Sequence, residues 1–441
     1  MSPSTISPAA DDVADHRSSR TVRTALLSSL VGTTIEWYDF FLYATAASLV
    51  FNHAFFPDQS SLVGTMLSFA TFAVGFLVRP IGGFVFGHVG DRIGRKRTLA
   101  FTMFLMGGAT ALMGVLPTAE QIGALAPVLL LVLRIVQGFA LGGEWAGAVL
   151  LAVEHSPPPK RGLFGSVPQI GLALGLALGT GVFALLQVML PEDAFLAYGW
   201  RVAFLISVVL VLFGIVVRLK AAETPAFEKI RDDDQRSAAP LREVFRRPLL
   251  RPTVLGMLSR WGEGAAFNTW GVFAISYATG TLHLARVPVL IAVTAAALLM
   301  AALLPVSGLL TDRFGGKRVY ATGIAAFGIA VFPVFALFGT RSIAGFAVAM
   351  LVVFGVVHAW FYGAQGTLYA SLFPARVRYT GLSTVYQLSG VYASGLTPLI
   401  LTALIAAGHG TPWLACAYLA VIAVISVIAT LLLRPIATAD L

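Results

Sequence analysis

Charge and cysteine are both scarce in this sequence. Charged residues make up 12% of its 441 residues, about half of the roughly 25% that is usual in soluble domains. The single cysteine, Cys416, lies in an apolar run, so a disulfide within the chain is impossible and thiol catalysis is not expected. Residues 1–23 are polar, which argues against a cleavable signal sequence in the usual place. The scarcity of charge excludes an ordinary soluble domain.

Apolar residues take the place of the missing charge. They form 57% of the chain, and the mean hydropathy is +0.84. Twelve apolar runs are present, each near the ~20 residues that a transmembrane helix needs. We therefore predict an all-α polytopic membrane protein whose transmembrane helices lie at 25–51, 61–86, 98–116, 125–153, 162–189, 200–218, 253–279, 287–310, 319–338, 343–370, 379–405 and 412–433.

The basic residues indicate the orientation of these helices. All but six of the 30 Lys and Arg residues lie in or next to the two terminal tails and the loops that follow the even-numbered runs. Cytoplasmic loops are enriched in Lys and Arg, so we predict that this side and both termini are cytoplasmic. The net charge of +9 is then a consequence of topology, and no nucleic-acid partner is expected.

The two halves of the chain repeat. The segment Gly87 to Lys96 follows the second run, and the similar segment Gly308 to Lys317 follows the eighth run, 221 residues later. Two copies of a six-helix unit in the same orientation form a parallel repeat. We predict a tail at 1–24, a bundle at 25–218, a cytoplasmic linker at 219–252, a second bundle at 253–433 and a tail at 434–441.

The first apolar run contains two acids where lipid should surround the helix. Counting from Leu26, Glu36 lies about 15 Å into the run at 1.5 Å per residue, and Asp39 follows one turn later on the same face. Ionised groups are costly in a membrane and usually face a polar cavity. The pair therefore indicates either proton coupling or a structural ion pair with a nearby arginine.

Several motifs resemble one family of membrane transporters. The two loop segments resemble the signature of the major facilitator superfamily. Four further motifs resemble the metabolite:proton symporter family within it: Glu36-Trp37-Tyr38-Asp39-Phe40, Arg79-Pro80-Ile81-Gly82-Gly83, Arg134-Ile135-Val136-Gln137-Gly138 and Gly142-Gly143-Glu144-Trp145. The first half of the chain is most similar to the shikimate-transporter-like branch of that family.

The resemblance implies two six-helix bundles around a central cavity, lined most closely by the first, fourth, seventh and tenth helices. It implies proton-driven uptake of a small carboxylated metabolite by a monomer in a bacterial inner membrane, with no cofactor. An exporter or proton antiporter of the same fold and a symporter of proline- or betaine-like zwitterions stay open. An enzyme is not expected, because the sequence has neither an H-E-x-x-H motif nor a clear nucleophile elbow.

Candidate site residues follow from polar side chains within the runs. We predict Asp39, with Glu36 as its neighbour, as the proton-coupling group. Arg134 is either an anchor for the substrate or the partner of one of these acids, and Arg260 and Glu263 either bind substrate or neutralise each other. His358 is either a titratable site or a packing residue. The predicted substrate-binding set is Arg134, Tyr38, Tyr43, Gln137, Gln169, Arg260, Glu263, Asn268, Trp270, His358, Tyr362 and Gln387.

A second group of charges lies at the predicted cytoplasmic mouth. In the superfamily such groups brace the two bundles while the inner gate is shut, so they are predicted gate residues. The second half has Ser371 where the first has Glu154, and Gly316 where it has Arg95, so its brace should be weaker. The predicted gate set is Asp91, Arg92, Arg95, Glu154, Arg161, Asp312, Arg313 and Arg378.

Overall fold

A computed structural model gives the architecture of the protein. It describes residues 30–93, 95–154, 156–220 and 240–435, with side chains described except at 87–97, 99, 143–144, 218–220 and 240. The side chains of three predicted gate residues lie outside this description, namely those of Asp91, Arg92 and Arg95. The same is true of the side chain of Glu144. Helices and loops account for all of the described residues, without any strand.

Twelve long helical segments, α1 to α12, correspond in order to the twelve apolar runs. Within the described ranges, nine of them are long and apolar enough to cross a membrane. The other three are α1, α3 and α7, of which α1 and α7 carry buried acids. Their bounds are 30–49 (α1), Ser61–Ile93 (α2), Arg95–Gly114 (α3), Leu125–Glu154 (α4), Arg161–Met189 (α5), Trp200–Lys220 (α6), 250–281 (α7), Arg286–Phe314 (α8), Gly316–Phe338 (α9), Ile343–Ala370 (α10), Ala375–Ala407 (α11) and Trp413–Leu432 (α12). Short helices at Phe51–Phe55, Ala119–Ile122, Glu192–Ala194 and Pro240–Val244 lie between them.

Glycine allows the closest contacts between helices. A Cβ atom on Gly82 of α2 would overlap the carbonyl oxygen of Phe139 in α4, and one on Gly138 of α4 would overlap that of Gly75 in α2. Small residues permit backbones to approach in this way in membranes. The two helices are therefore in backbone contact, and a methyl group at either glycine would force them apart.

Helices α5 and α8 pack against each other and so hold the first half of the chain against the second. They run antiparallel, with Gly162 against Gly308 near one end and a 2.7 Å hydrogen bond between Thr180 and Thr294 near the other. A Cβ on Gly308 would lie 2.7 Å from the Cα of Leu163, so the backbones nearly touch. This long contact is the main seam between the halves.

Helix α7 has irregular hydrogen bonding where it packs against α12. In a regular α-helix the amide of Gly262 would donate to the carbonyl of Leu258. Here it donates to Oγ of Ser426 in α12 at 2.7 Å, and that hydroxyl donates to the Leu258 carbonyl at 2.9 Å. A side chain inserted in the ladder is a recognised cause of helix bending. Two wider π-helical stretches, Thr269–Phe273 and Tyr277–Thr281, follow it.

Candidate transport site

A small enclosed cavity lies where the two halves meet. Its volume is about 10 Å³, roughly the space that one water molecule needs, so a bound metabolite would require the walls to move apart. Its walls come from α1, α2 and α4 of the first half and α11 of the second. The lining residues are Thr33, Glu36, Trp37, Arg79, Leu141, Trp145, Tyr386 and Gln387.

Arg79 places a positive charge in this cavity, and it forms no ion pair with any residue of the described ranges. Its side chain is 3% exposed, and neither Nε nor Nη2 has a hydrogen-bond partner among the described residues. The guanidinium carbon lies 4.1 Å from the ring centre of Phe40 and 4.2 Å from that of Phe76. Aromatic faces attract a cation, but they do not satisfy its N–H donors. The cavity therefore offers donors that suit an anionic ligand.

Aromatic stacking joins the two halves at the cavity. The rings of Trp145 and Tyr386 are stacked with centres 3.8 Å apart and an angle of 14° between their planes. The guanidinium carbon of Arg260 lies 3.8 Å from the centre of the Tyr386 ring. Gln387 adds a hydrogen bond from its side-chain amide to the carbonyl of Gly142. Tyr386 is thus held between a tryptophan of α4 and an arginine of α7.

Arg260 and Glu263 face each other within α7. Their side chains form an ion pair at 3.4 Å between Nε and Oε2, and both are almost fully buried. Arg260 Nη1 also donates to Oγ of Ser389 in α11 at 3.0 Å. The sequence left open whether this pair binds substrate or neutralises itself, and in the described state the two side chains neutralise each other. Arg260 also lies behind Tyr386, on the side of the ring away from Trp145.

Arg134 lies outside the cavity, within the first half. Its guanidinium donates to the side-chain oxygen of Gln137 and to the carbonyl of Phe72 at 3.5 Å. The rings of Phe40 and Tyr43 lie 4.3 Å and 4.2 Å from its guanidinium carbon. The structure has no ion pair between this arginine and any acid in the described part of the chain, so the alternative of a pairing with Asp39 or Glu36 is not seen in this state.

Asp39 is turned away from the cavity that Glu36 lines. It is fully buried, and neither carboxylate oxygen has a hydrogen-bond partner within the described ranges. Its polar neighbours are Thr110 of α3 and Ser207 of α6. The side-chain amide of Gln137 donates to the Asp39 carbonyl at 3.3 Å and to the Thr110 hydroxyl at 2.9 Å. The expectation of one shared face is wrong: one residue lines the cavity, and the other faces α3 and α6.

Three predicted substrate-binding aromatics also lie away from the lining. The hydroxyl of Tyr38 donates to the carbonyl of Ala203 at 2.8 Å, and that of Tyr43 donates to Thr71 at 2.6 Å. Trp270 packs against the phenylalanines of α9, with ring centres about 6 Å apart. All three side chains therefore contact other helices of their own half.

Gln169 lies beside the cavity without lining it. Its side-chain oxygen accepts a hydrogen bond from the indole N–H of Trp145 at 3.2 Å, while its amide nitrogen has no partner among described residues. The glutamine therefore holds Trp145, which forms part of the wall.

The remaining predicted residues form a buried cluster between α7 and α10. Neither ring nitrogen of His358 has a hydrogen-bond partner in the described part of the chain, and the nearest ring, that of Phe361, is 4.6 Å away. The hydroxyl of Tyr362, the side-chain oxygen of Asn268 and both amide atoms of Gln365 also lack described partners. This cluster lies in the second half, and Phe267 connects it to α1 by stacking on Phe41, with ring centres 5.1 Å apart.

Contacts between the halves close one end of the cavity, the end that carries the repeated loop motif. Glu154 pairs with Arg378 at 3.0 Å, and Thr367 donates to the carbonyl of Arg161 at 3.1 Å. The carboxylate of Asp312 accepts from the amides of Gly162 at 2.5 Å and of the next residue at 3.0 Å. It thus caps the first turn of α5 across the seam. Arg313 is exposed and points at no acid of the described chain.

The opposite end is closed as well. Arg286 pairs with Glu192 at 2.9 Å, and the hydroxyl of Ser48 in α1 contacts the carbonyl of Val272 in α7 at 3.3 Å. The described conformation is therefore occluded, with the cavity shut from both sides.

The sequence prediction had omitted Arg79 from its site residues. No acid lies within four residues of it in the sequence, and Pro80 follows it directly. A buried arginine that has no acid within a helical turn must find its partner elsewhere or face a cavity. That signal is present in the sequence, whereas the positions of Trp37 and Trp145 required the packed structure.

Comparisons with known proteins agree with this architecture. Residues 24–254 match the family described as "Sugar (and other) transporter", and residues 263–440 match "Major Facilitator Superfamily". The chain is 39% identical to the shikimate transporter of Escherichia coli K12, over 93% of this chain and 94% of that one. It is 32% identical to the proline/betaine transporter of the same strain, over 92% and 82%. A solved D-xylose-proton symporter has the same fold, with a TM-score of 0.73, 18% identity, and coverage of 94% and 98%.

Twelve helices around a cavity closed at both ends are the architecture of a membrane transport protein. The chain belongs to the major facilitator superfamily, whose members matched here are transporters rather than enzymes. The predicted fold and the resemblance to the metabolite-transporter branch are confirmed.

Proposed function

We propose that the protein takes up a small carboxylated metabolite across a bacterial inner membrane, driven by protons. One observation carries the proposal. Arg79 is buried at the junction of the halves, with donor groups that no described residue uses. A guanidinium binds a carboxylate through two parallel hydrogen bonds, and flanking aromatic rings suit the apolar faces of a small ring or chain. The name of the 39% identical relative, a shikimate transporter, supports a carboxylate substrate.

The proton is assigned to Asp39. An alternating mechanism needs a buried acid that can be neutral in one step and charged in another, near the substrate site but separate from it. Asp39 meets this description, because it is buried and its carboxylate has no hydrogen bond within the described chain. Gln137 connects it to Arg134, and Phe40 lies between Arg134 and Arg79. Glu36 lines the cavity and has a supporting role.

Uptake into proteoliposomes tests the substrate assignment. With labelled shikimate and an imposed proton gradient, Arg79→Gln should lower the affinity for a carboxylate about 10- to 100-fold, the value of a charge-assisted bidentate pair at about 1.5–3 kcal/mol. Arg79→Lys should recover part of the loss, because a lysine keeps the charge but not the fork. Arg341→Gln, at an exposed loop, is the control. Unchanged carboxylate affinity in Arg79→Gln would rule out this anchor.

The coupling assignment needs a different measurement. Asp39→Asn imitates the protonated acid, so it should keep exchange of substrate between the two sides but lose uphill accumulation. Glu36→Gln should be milder. If Asp39→Asn still accumulates substrate against a gradient, the proton is carried elsewhere, and Glu263 or His358 becomes the next candidate.

A zwitterion symporter is the second candidate. The cavity presents three aromatic rings, those of Trp37, Trp145 and Tyr386, and such rings bind quaternary ammonium groups. The names of relatives at 32–34% identity, transporters of proline and betaine, favour the same chemistry. A thermal-shift screen that includes shikimate, quinate, oxoglutarate, citrate, proline and betaine separates the two, since a ligand of the folded state raises its apparent stability.

The orientation is also open to test. Cysteines placed in the 52–60 and 190–199 loops of a Cys416→Ala background should react with an impermeant reagent added to intact cells. A cysteine at 232 should not react. The reverse pattern would overturn the assignment of both termini to the cytoplasm and, with it, the direction expected for uptake.

A further inference from the structure

The segment 240–254, which leads into α7, is fixed firmly to the second half. The side chains of Val244 and Leu249 are buried, and the hydroxyl of Thr253 donates to the carbonyl of Val244 at 3.1 Å. Glu243 forms an ion pair with Arg376 at 2.6 Å, with both Nε and Nη2 of the arginine bonded to one carboxylate oxygen. The segment therefore holds its outward-facing side chains in defined positions.

The outward side combines apolar and cationic groups. Four large apolar side chains are 37–42% exposed, namely Leu241, Phe245, Leu250 and Val254. Four exposed arginines alternate with them, namely Arg242, Arg246, Arg247 and Arg251, and none has an ion pair with a described residue. Glu243 is the only acid of the segment in the sequence, and it is engaged by Arg376. The surface is thus strongly cationic and partly apolar.

Such a surface matches the boundary between lipid headgroups and lipid tails. The exposed Leu250 and Val254 occupy the first turns of α7, which enters the bilayer, so the arginines just before them lie at headgroup depth. Exposed apolar groups enter the acyl boundary, while nearby Lys and Arg are attracted to anionic lipids. Arginine also binds phosphate through its planar fork.

We propose that the 240–254 segment is a binding surface for anionic phospholipid headgroups, with the arginines on the phosphates and Leu241 and Phe245 inserted beside them. The surface lies on the outside of the second half, away from the transport cavity. It belongs to the inner end of α7, the helix that carries Arg260 and Glu263, so bound lipid would steady this helix.

Lipid titration of the purified full chain tests the proposal. In neutral detergent, dioleoylphosphatidylglycerol should raise the apparent melting temperature, and dioleoylphosphatidylcholine should have little effect. Near a charged bilayer surface one arginine changes binding about five-fold, so Arg247→Gln should raise the half-maximal phosphatidylglycerol concentration about five-fold. Arg246→Gln/Arg247→Gln should raise it about 25-fold.

A matched control distinguishes this surface from overall charge. Arg318→Gln removes one exposed arginine at the start of α9, at the same end of the protein, and should change the half-maximal concentration less than two-fold. An equal shift in this control would overturn the proposal, as would stabilisation of the wild type by inorganic phosphate alone. The three aspartates at 232–234 are an alternative partner for the arginines. In that case lipid would stabilise the wild type little and the variant with all three aspartates changed to asparagine strongly, and this result would also overturn the proposal.

Discussion

Asp312 offers the sharpest test of how the closed cavity is held. Its carboxylate accepts hydrogen bonds from the amides of Gly162 and Leu163, at 2.5 Å and 3.0 Å, across the seam between the halves. These amides belong to the first turn of α5, where helical N–H groups have no partner within the helix and where negative charge is favourable. The contact can exist only while this end of the protein is closed.

The structure sets the size of the expected effect. Hydrogen bonds to a charged group contribute about 1.5–3 kcal/mol each, but both partners reach water when the gate opens, so the net value resembles that of an N-cap, about 1–2 kcal/mol. Asp312→Ala should therefore raise the ratio of the open to the closed state about 5- to 30-fold. Asp312→Asn keeps one acceptor and loses the charge, so about half of that free energy should be lost.

Alkylation of a cavity cysteine measures this ratio. Thr33 lines the cavity, so a cysteine at this position in a Cys416→Ala background should react only when the gate is open. In inside-out vesicles the alkylation rate should rise 5- to 30-fold in Asp312→Ala. Asp58→Ala, in an exposed loop at the opposite end, should leave the rate unchanged. An unaltered rate in a folded Asp312→Ala protein would refute the argument that this cap holds the gate.

Three further predictions concern packing and the cavity wall. Gly82→Ala should lower the melting temperature by several degrees, because its methyl group would overlap the backbone of α4, whereas Gly108→Ala, with open space around it, should not. Ser426→Ala should lower the unfolding free energy by about 1–3 kcal/mol in chemical denaturation, because two backbone groups of α7 lose their shared partner, and Ser426→Thr should restore most of it. Tyr386→Phe should keep ligand affinity within about two-fold in a binding titration, since the ring stack remains, while Tyr386→Ala should weaken it about ten-fold.

The sequence was sufficient for the helices. Apolar runs have to be long enough to cross a bilayer, so their number and order can be read directly. The repeated loop motif predicted Asp312 at the mouth, and Arg378 belonged to the same predicted set. Both side chains contact the first half of the chain in the structure. A short helix at Pro240–Val244 and the first residues of α7 lie within the range predicted as a linker, 219–252.

The candidate site was harder to predict, because the position of a residue along a transmembrane helix does not determine which way its side chain points. Glu36 and Asp39 are one turn apart, yet a rotation of about 60° between positions three residues apart turns one toward the cavity and the other toward α3 and α6. Because of the same ambiguity, Trp270 was included in the predicted substrate-binding set, although its ring packs on α9. The altered hydrogen bonding at Gly262 of α7 depends on Ser426, more than 160 residues away in the chain, and no local pattern signals it.

The arrangement of the two lone arginines gives the proposed coupling a physical route. Arg79 faces the cavity and Arg134 faces the interior, and their guanidinium carbons lie 4.1 Å and 4.3 Å from the ring centre of Phe40, which both contact. Like charges this close repel each other in a medium of low dielectric constant. A carboxylate bound at Arg79 would relieve that repulsion and bring negative charge toward Asp39, which lies beyond Gln137. Negative charge favours proton uptake by a nearby carboxylate. Substrate binding and protonation would thus assist each other without direct contact between the substrate and the acid.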